Sequence, residues 1–178
     1  MAGEIKDVGV VVKTQDYKDA DKIITILTKN NGLISAFALG ARRQNSKKSP
    51  HLDLISQVDI QLRGKDYLYL EQASTIHSFA KIKSDLNKIS VCMSFFEILT
   101  QLTPSSVDDP EMYQSLTNFL KKVETVDTKN ELNQISTKFA RYILRHLGYP
   151  ETPPASIGTI SSYFESLMNR KLIAKEIV

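Results

Sequence analysis

Arg42, Arg43, Lys47 and Lys48 fall inside the segment running from Leu39 to Pro50, which contains no acid. Guanidinium and ammonium groups gathered this closely neutralise phosphates and release the counterions condensed on a nucleic acid. On single strands each neutralised phosphate contributes a slope of roughly −0.7 in log affinity against log salt. The whole chain carries 23 Lys+Arg against 20 Asp+Glu, a net charge of only +3. Attraction for a polyanion must therefore come from the local cluster. Ser46 and Ser49 add weaker hydroxyl donors in the same loop. The competing reading is a solvated loop whose charges only aid solubility. Tyr67 and Tyr69 form a second candidate: they share one face of a β-patterned segment, with Lys65 beside them and Arg63 across a turn. Exposed aromatics in such a setting stack on unpaired bases, at ~1–3 kcal/mol per base. Leu68 and Leu70 occupy the opposite, core-facing side, which leaves the tyrosines outward unless neighbouring strands or helices cover them.

Other chemistry finds less support. Asp16, Asp19 and Asp21 resemble a carboxylate cluster for a divalent metal, as a metal-dependent nuclease would need. They alternate with Lys18 and Lys22 at a turn, however, where Asp accepts from backbone N–H groups, and turn capping is the better reading. His51, His77 and His146 lie in separate segments without metal-ligand spacing. There is no Gly-rich phosphate loop, no His-Glu-x-x-His and no nucleophile elbow, so no enzyme is expected. Cys92 is the single cysteine and sits in the apolar run Val91–Phe96, which reads as a buried, inert thiol. Lys138, Arg141 and Arg145 recur at helical spacing beside Phe139, Ile143 and Leu147. A basic rim along an apolar groove suits a partner's acidic tail that ends in a hydrophobic residue.

The elements that position these residues follow from two periodicities. Residues 5–80 alternate as β-strands do. Val8, Val10 and Val12 oppose Gly9, Val11 and Lys13, and Lys22–Thr28 is β-branched. Asn31-Gly32 predicts a hairpin back into Leu33–Leu39. From 54 to 63, Leu54, Ser56, Val58, Ile60 and Leu62 face one way, and Gly64-Lys65-Asp66 turns into Tyr67–Ile76. Five short strands, mostly antiparallel, predict a small barrel; pattern alone does not separate an oligonucleotide-binding barrel from an SH3-like one. Beyond 80 the spacing is helical. Leu86, Ile89, Met93, Phe96 and Leu99 mark one helix before Pro104. Asp108-Asp109-Pro110-Glu111 opens a second, with Leu116, Phe119, Leu120 and Val123 buried. Thr128 with Glu131 caps a third, through Leu132, Ile135, Phe139, Ile143 and Leu147, closed by Gly148. Residues 149–159 read as a linker, and 160–177 as a last helix or helical hairpin carrying Tyr163, Phe164, Leu167, Leu172 and Ile173. The expected class is α+β: a five-stranded barrel domain over 1–80 and a helical bundle domain over 81–178. No apolar run approaches the ~20 residues of a membrane span, and the first residues lack a signal-peptide pattern, so a cytoplasmic protein is expected.

Lys13-Thr14-Gln15-Asp16-Tyr17, Ala20-Asp21-Lys22-Ile23, Leu27-Thr28, Gly32-Leu33 and Gly40-Ala41-Arg42-Arg43 resemble, in order and spacing, the RecO family of bacterial recombination mediators. The likeness covers about residues 8–63, is weaker through the helices and returns over 160–177. It implies an oligonucleotide-binding (OB) barrel followed by a helical domain, near the nucleoid of a bacterial cell. Lys13, Arg42, Arg43, Lys47, Lys48, Arg63, Lys65, Tyr67 and Tyr69 would then meet single- and double-stranded DNA, and strand annealing would follow. Lys138, Arg141 and Arg145 would meet the acidic C-terminal tail of the single-strand-binding protein. RecR would be a further partner, and loading of the RecA recombinase the outcome. Two departures stand out. Many members carry a zinc-binding cysteine cluster before the closing helix, whereas Tyr149–Thr159 holds no cysteine, so no metal or other cofactor is expected. Leu39 stands where members commonly have Lys, which shifts phosphate contact onto Arg42 and Arg43. The rival to DNA binding is an adaptor whose barrel and basic loop meet an acidic protein.

Overall fold

A computed structural model describes residues 3–155 and 158–173 of the chain. Among these, two compact units form: one from the residues up to 78 together with 104–113, the other from 79–103 and from 114 onward.

The first unit is built on five strands: β1 (Gly3–Tyr17), β2 (Asp21–Thr28), β3 (Leu33–Ala38), β4 (Gln57–Gly64) and β5 (Leu68–His77). They close into a barrel in the order β1-β2-β3-β5-β4, with β4 returning to β1. All pairs are antiparallel except β3 with β5, which run parallel at Ala36↔Leu68 and Phe37↔Tyr69. This order and the single parallel junction give the OB-fold, which the alternation pattern left undecided. Val11, Ile24, Ile26, Ile34, Val58, Ile60, Leu62 and Leu70 fill the interior. Gly9 is required where β1 crosses β2, since a Cβ there would stand 2.3 Å from Cγ2 of Ile26 and 2.9 Å from the carbonyl of Leu27.

Three expectations for the barrel are corrected. Strict alternation of Val8, Val10 and Val12 fails because β1 carries a bulge between Val11 and Lys13, so Val10, Val11 and Val12 are all buried. The bulge sets Lys13, Gln15 and Tyr17 in register with Thr25, Ile23 and Asp21. The expected strand from Leu54 begins only at Gln57: Ile55 takes a left-handed φ of 59° and is buried, opposite to its place in the alternation. The hairpin after β2 is a four-residue loop (29–32) rather than a two-residue Asn-Gly turn. Thr28 N–H donates to the Gly32 carbonyl at 2.8 Å, and only Gly32 takes positive φ (63°) in it. Asp7, 5% exposed, organises that loop. Its Oδ1 accepts from Val8 N (2.8 Å) and Asn30 Nδ2 (2.9 Å), and its Oδ2 from Asn30 N (3.0 Å) and Asn31 Nδ2 (2.7 Å).

Residues 104–113 complete this unit. Ser105 bridges Leu33 in parallel, Ser106 N–H donates to the Leu33 carbonyl (2.9 Å), and Gln57 Nε2 donates to the Tyr113 hydroxyl (2.8 Å). Asp109 caps the following helix by accepting from Met112 N at 2.9 Å.

The helices are α1 (Ala80–Lys83), α2 (Leu86–Leu102), α3 (Pro110–Thr125), α4 (Lys129–His146) and α5 (Ile160–Met168). In the second unit Val91, Cys92, Phe95, Phe96, Ile98 and Leu99 of α2 are all buried, as in a helix covered on several sides. Phe95, Phe119 and Phe139 form its aromatic centre, with Phe119 and Phe139 stacked at 4.3 Å. Thr128 and Glu131 form the capping box of α4. Gly148 (φ 81°) closes it: Gly148 N–H donates to the Arg145 carbonyl and Tyr149 N–H to that of Leu144, the Schellman arrangement. Two apolar assignments are corrected. Leu86 is 83% exposed, because Asp85 caps α2 and leaves Leu86 in an uncovered first turn. Ile173 is 81% exposed and lies past the end of α5 at Met168; residues 174–177 of the expected last helix fall outside the described residues, as do 156 and 157 of the expected linker. No helix of the described residues is long and apolar enough to cross a membrane.

Candidate nucleic-acid interface

The outward side of the barrel carries a row of side chains in direct register across all five strands: Gln15 (β1), Ile23 (β2), Phe37 (β3), Tyr69 (β5) and Arg63 (β4). Period-2 alternation with the core residues turns these positions out. Phe37 is the hub of an aromatic cluster. Tyr17 lies 5.3 Å from it, Tyr69 5.6 Å and Tyr67 6.2 Å, ring centre to ring centre. Tyr67 is 66% exposed and Tyr69 41%, while Phe37 and Tyr17 are half-buried. Tyr67 stands just ahead of β5, in the turn with Lys65 and Asp66, all exposed. Lys18, in the β1–β2 turn, places its ammonium 5.2 Å over the Tyr17 ring. Lys13 is exposed on the same side, in register with Thr25.

The basic loop leaves β3 through Gly40 (φ 67°), whose N–H donates to Asp21 Oδ1 at 2.7 Å. Its four cations have different fates. The Arg42 guanidinium reaches back to the β1–β2 turn, pairing with Asp16 Oδ2 (3.4 Å) and donating to the carbonyls of Lys18 (3.3 Å) and Asp19 (3.4 Å). Lys48 Nζ donates to the Leu70 carbonyl of β5 at 2.6 Å. Three residues on, His51 Nδ1 accepts from Thr75 N–H at 3.2 Å, so Lys48 and His51 both bond the β5 backbone beyond its short pairing with β3. Arg43 and Lys47 are exposed. The loop is thus an anchored one, and its outward charge is concentrated on Arg43 and Lys47. Arg63 is likewise engaged, 3.1 Å from Glu71. The three aspartates engage the basic loop rather than cap their own turn: Asp21 accepts from Gly40 N–H, Asp16 pairs with Arg42, and the Asp19 backbone carbonyl accepts from Arg42.

Sequence reasoning missed Tyr17 and Phe37. Alternation could have found Phe37, since Ile34, Ala36 and Ala38 point in and leave it outward beside Ser35. Tyr17 depends on the β1 bulge, which no pattern announced.

In the helical unit, α3 and α4 frame a groove of about 460 Å3. Ser115, Asn118, Phe119 and Lys122 line it from α3, and Ile135, Lys138 and Phe139 from α4. These positions follow i, i+3, i+4, i+7 and i, i+3, i+4, each a single helical face. Lys138 stands at this groove. Arg141 and Arg145 are exposed but line no part of it, and Arg145 pairs with Glu151 at 3.4 Å. Lys122, unnoticed in the sequence, is the second cation of the rim.

A cysteine-based zinc site does not fit the residues present. Cys92 is fully buried in α2, where burial pushes its thiol far above the usual range against a weaker opposing pull from Lys88. Among the described residues no three of His, Cys, Asp and Glu gather to hold a metal ion.

Residues 1–79 match the family profile described as Recombination protein O N terminal. The chain is similar to the DNA repair protein RecO of Acetivibrio thermocellus, at 30% identity over 164 residues, covering 92% of this chain and 64% of that one. It is 29% identical over 147 residues to the DNA repair protein RecO of Dehalococcoides mccartyi strain 195 (82% and 57% covered). It is 31% identical over 113 residues to that of Thermobifida fusca (62% and 46%). The chain therefore spans between about half and just under two thirds of the length of the curated relatives it matches.

Proposed function

Because its N-terminal OB domain and its relatives place this chain in the RecO family, we propose that it is a non-enzymatic DNA-binding mediator of recombinational repair. It would bind both single- and double-stranded DNA, as a cytoplasmic protein associated with the nucleoid. The observation that carries this reading is the exposed pair Arg43 and Lys47, on a loop anchored beside the outward barrel face. Cations held out from a rigid scaffold neutralise phosphates without first breaking internal pairs. Two complementary strands brought to such a surface repel each other less, and annealing is downhill once that repulsion is relieved. No covalent step is required.

The helical unit supplies the second half of the reading. The groove with Phe119, Ile135 and Phe139 on its wall and Lys122 and Lys138 at its rim suits an acidic tail ending in a hydrophobic residue. The tail of the single-strand-binding protein has that chemistry, and docking it would bring the module to coated DNA. RecR would act alongside, and RecA would load on the strand so exposed. The test is annealing of two labelled complementary oligonucleotides followed by energy transfer. The protein accelerates annealing at low salt, and Arg43→Ala with Lys47→Ala removes most of the acceleration. An unaccelerated rate with the wild-type protein at low salt overturns the proposal.

One observation favours the adaptor reading. Arg42, Lys48 and Arg63 are engaged within the protein, which leaves fewer cations for phosphates. Retained binding to an acidic peptide, with no DNA affinity at physiological salt, would establish it.

A further inference from the structure

α4 carries a second set of cations, two of which have no part in the reading above. Its buried side is made by Leu132, Ser136, Phe139, Ala140, Ile143 and Leu144. Gln134, Lys138, Arg141 and Arg145 are exposed, and their helical spacing places them on one stripe of the opposite side. No acid occurs in the chain between Glu131 and Glu151. Lys138 reaches the groove, whereas Arg141 and Arg145 line no part of it. The pairing of Arg145 with Glu151 is open to solvent, and a pair of that kind yields readily to another anion.

The stripe holds no apolar side chain: its members are one amide and three cations. A peptide laid along it gains only exposed ion pairs, each contributing little. A nucleic-acid strand gains more, because every phosphate neutralised there also releases condensed counterions. Arg141 and Arg145 are guanidinium forks, each of which can take two phosphate oxygens at once. Gln134 adds an amide donor of the kind that positions a nucleic-acid backbone. From Lys138 to Arg145 the helix rises about 10 Å, which matches the run of about three phosphates along one strand.

Annealing by one chain calls for a second such place. Once the phosphates of one strand neutralise Arg43 and Lys47, a second strand arriving at that loop meets the first strand's remaining charge within a Debye length. We infer that the Lys138–Arg141–Arg145 stripe of α4 is a second binding site for a DNA backbone, and that it holds the complementary strand while the barrel loop holds the first. This inference rests on the DNA-binding reading above and adds to it the place of the second strand. An acidic tail in the groove needs neither Arg141 nor Arg145, so the two functions of α4 separate by residue.

The experiment titrates the protein with a short labelled thymine oligonucleotide at low salt, far above the dissociation constant, and counts the oligonucleotides bound per chain. It compares the wild type with Arg43→Ala/Lys47→Ala, Arg141→Ala/Arg145→Ala and Arg141→Lys/Arg145→Lys, and follows the annealing of complementary strands beside the titration. All four positions are exposed, so the variants should keep the fold. The wild type should take two oligonucleotides per chain, and either alanine pair only one. The α4 alanine variant should also anneal about fivefold or more slowly, while keeping its affinity for the first strand. The lysine variant, which keeps the charge, should hold two and anneal. Two oligonucleotides still bound by Arg141→Ala/Arg145→Ala overturn the inference. One per chain on a wild type that nonetheless anneals overturns it too, leaves DNA binding intact and assigns the second strand to a second copy of the protein. Loss of an acidic peptide rather than of DNA by the α4 alanine variant also overturns it, and returns the stripe to protein docking. A wild-type protein that binds no oligonucleotide at low salt overturns both this inference and the reading beneath it.

Discussion

Asp7→Asn should destabilise the barrel although it changes neither size nor shape. The Asp7 carboxylate is nearly sealed from water and accepts four N–H groups at 2.7–3.0 Å, two on each oxygen. Hydrogen bonds to a charged acceptor contribute about 1.5–3 kcal/mol each. Asn30 is exposed and Asn31 half-buried, so part of their donor capacity returns to water on mutation. The amide also turns one acceptor into a donor facing two donors. These effects together give a loss of about 2 kcal/mol for Asp7→Asn and about 3 kcal/mol for Asp7→Ala. The assay is urea unfolding followed by circular dichroism, with the slope against urea checked for constancy. A double-mutant cycle with Asn31→Ala should show coupling of about 1 kcal/mol or more, since the two side chains share a bond. An Asp7→Asn protein within about 0.5 kcal/mol of wild type, the scale of an ordinary surface change, would refute the reasoning.

The neighbouring arginines of the loop should behave differently on single-stranded DNA. Arg43→Ala should flatten the slope of log affinity against log salt by about 0.7, and Arg42→Ala by less, because Arg42 is spent on Asp16 and two carbonyls. A larger change from Arg42→Ala would contradict this. The Tyr113 hydroxyl has its pKa raised first by burial, against a lowering hydrogen bond from Gln57, with the Asp7 carboxylate raising it further. The folded state therefore keeps that proton longer than the unfolded one. Stability is untouched below the unfolded value of about 10 and falls as pH rises above it. Tyr113→Phe should remove that part of the fall, read as the urea midpoint between about pH 9 and 11; parallel curves for the two proteins would refute it. Lys122→Glu or Lys138→Glu should weaken an acidic peptide with a hydrophobic C-terminus about fivefold or more by calorimetry, each rim charge contributing ~1 kcal/mol. Arg145→Ala, outside the groove, should not; the reverse ranking would move the site.

What the sequence reveals and what it hides divide along physical lines. The caps of α3 and α4 are legible because they act within four residues: Asp109 on Met112, Thr128 with Glu131, and Gly148 at the turn. The barrel's inward residues on β4 are legible because alternation is unbroken there, whereas β2 is buried continuously from Ile24 to Thr28 and reads as a strand only by its β-branched composition. Alternation misleads at Val10–Val12 and at Leu54–Ser56, where a bulge and a left-handed Ile55 shift the phase. Arg42 and Arg43 are indistinguishable as letters, and only the fold shows that one is paired while the other faces outward. The same is true of Lys48, whose partner Leu70 lies 22 residues away, and of Asp7, whose turn donors lie 23 and 24 away. Long-range pairing leaves no local signature. The aromatic face was half visible: Tyr67 and Tyr69 stand two apart, but Tyr17 and Phe37 join them only through register across β2 and β3.

The central claim is that this barrel meets DNA through the loop running from Gly40 to Pro50. Its most direct test is the affinity for a labelled single-stranded oligonucleotide across a salt series, for the wild type and for a variant with Arg42, Arg43, Lys47 and Lys48 all changed to Ala. The account predicts a steep wild-type slope that flattens in the variant by at least about 1.4, the share of Arg43 and Lys47 at roughly 0.7 each. Two proteins of equal affinity and equal slope would contradict it and place the phosphate contacts elsewhere.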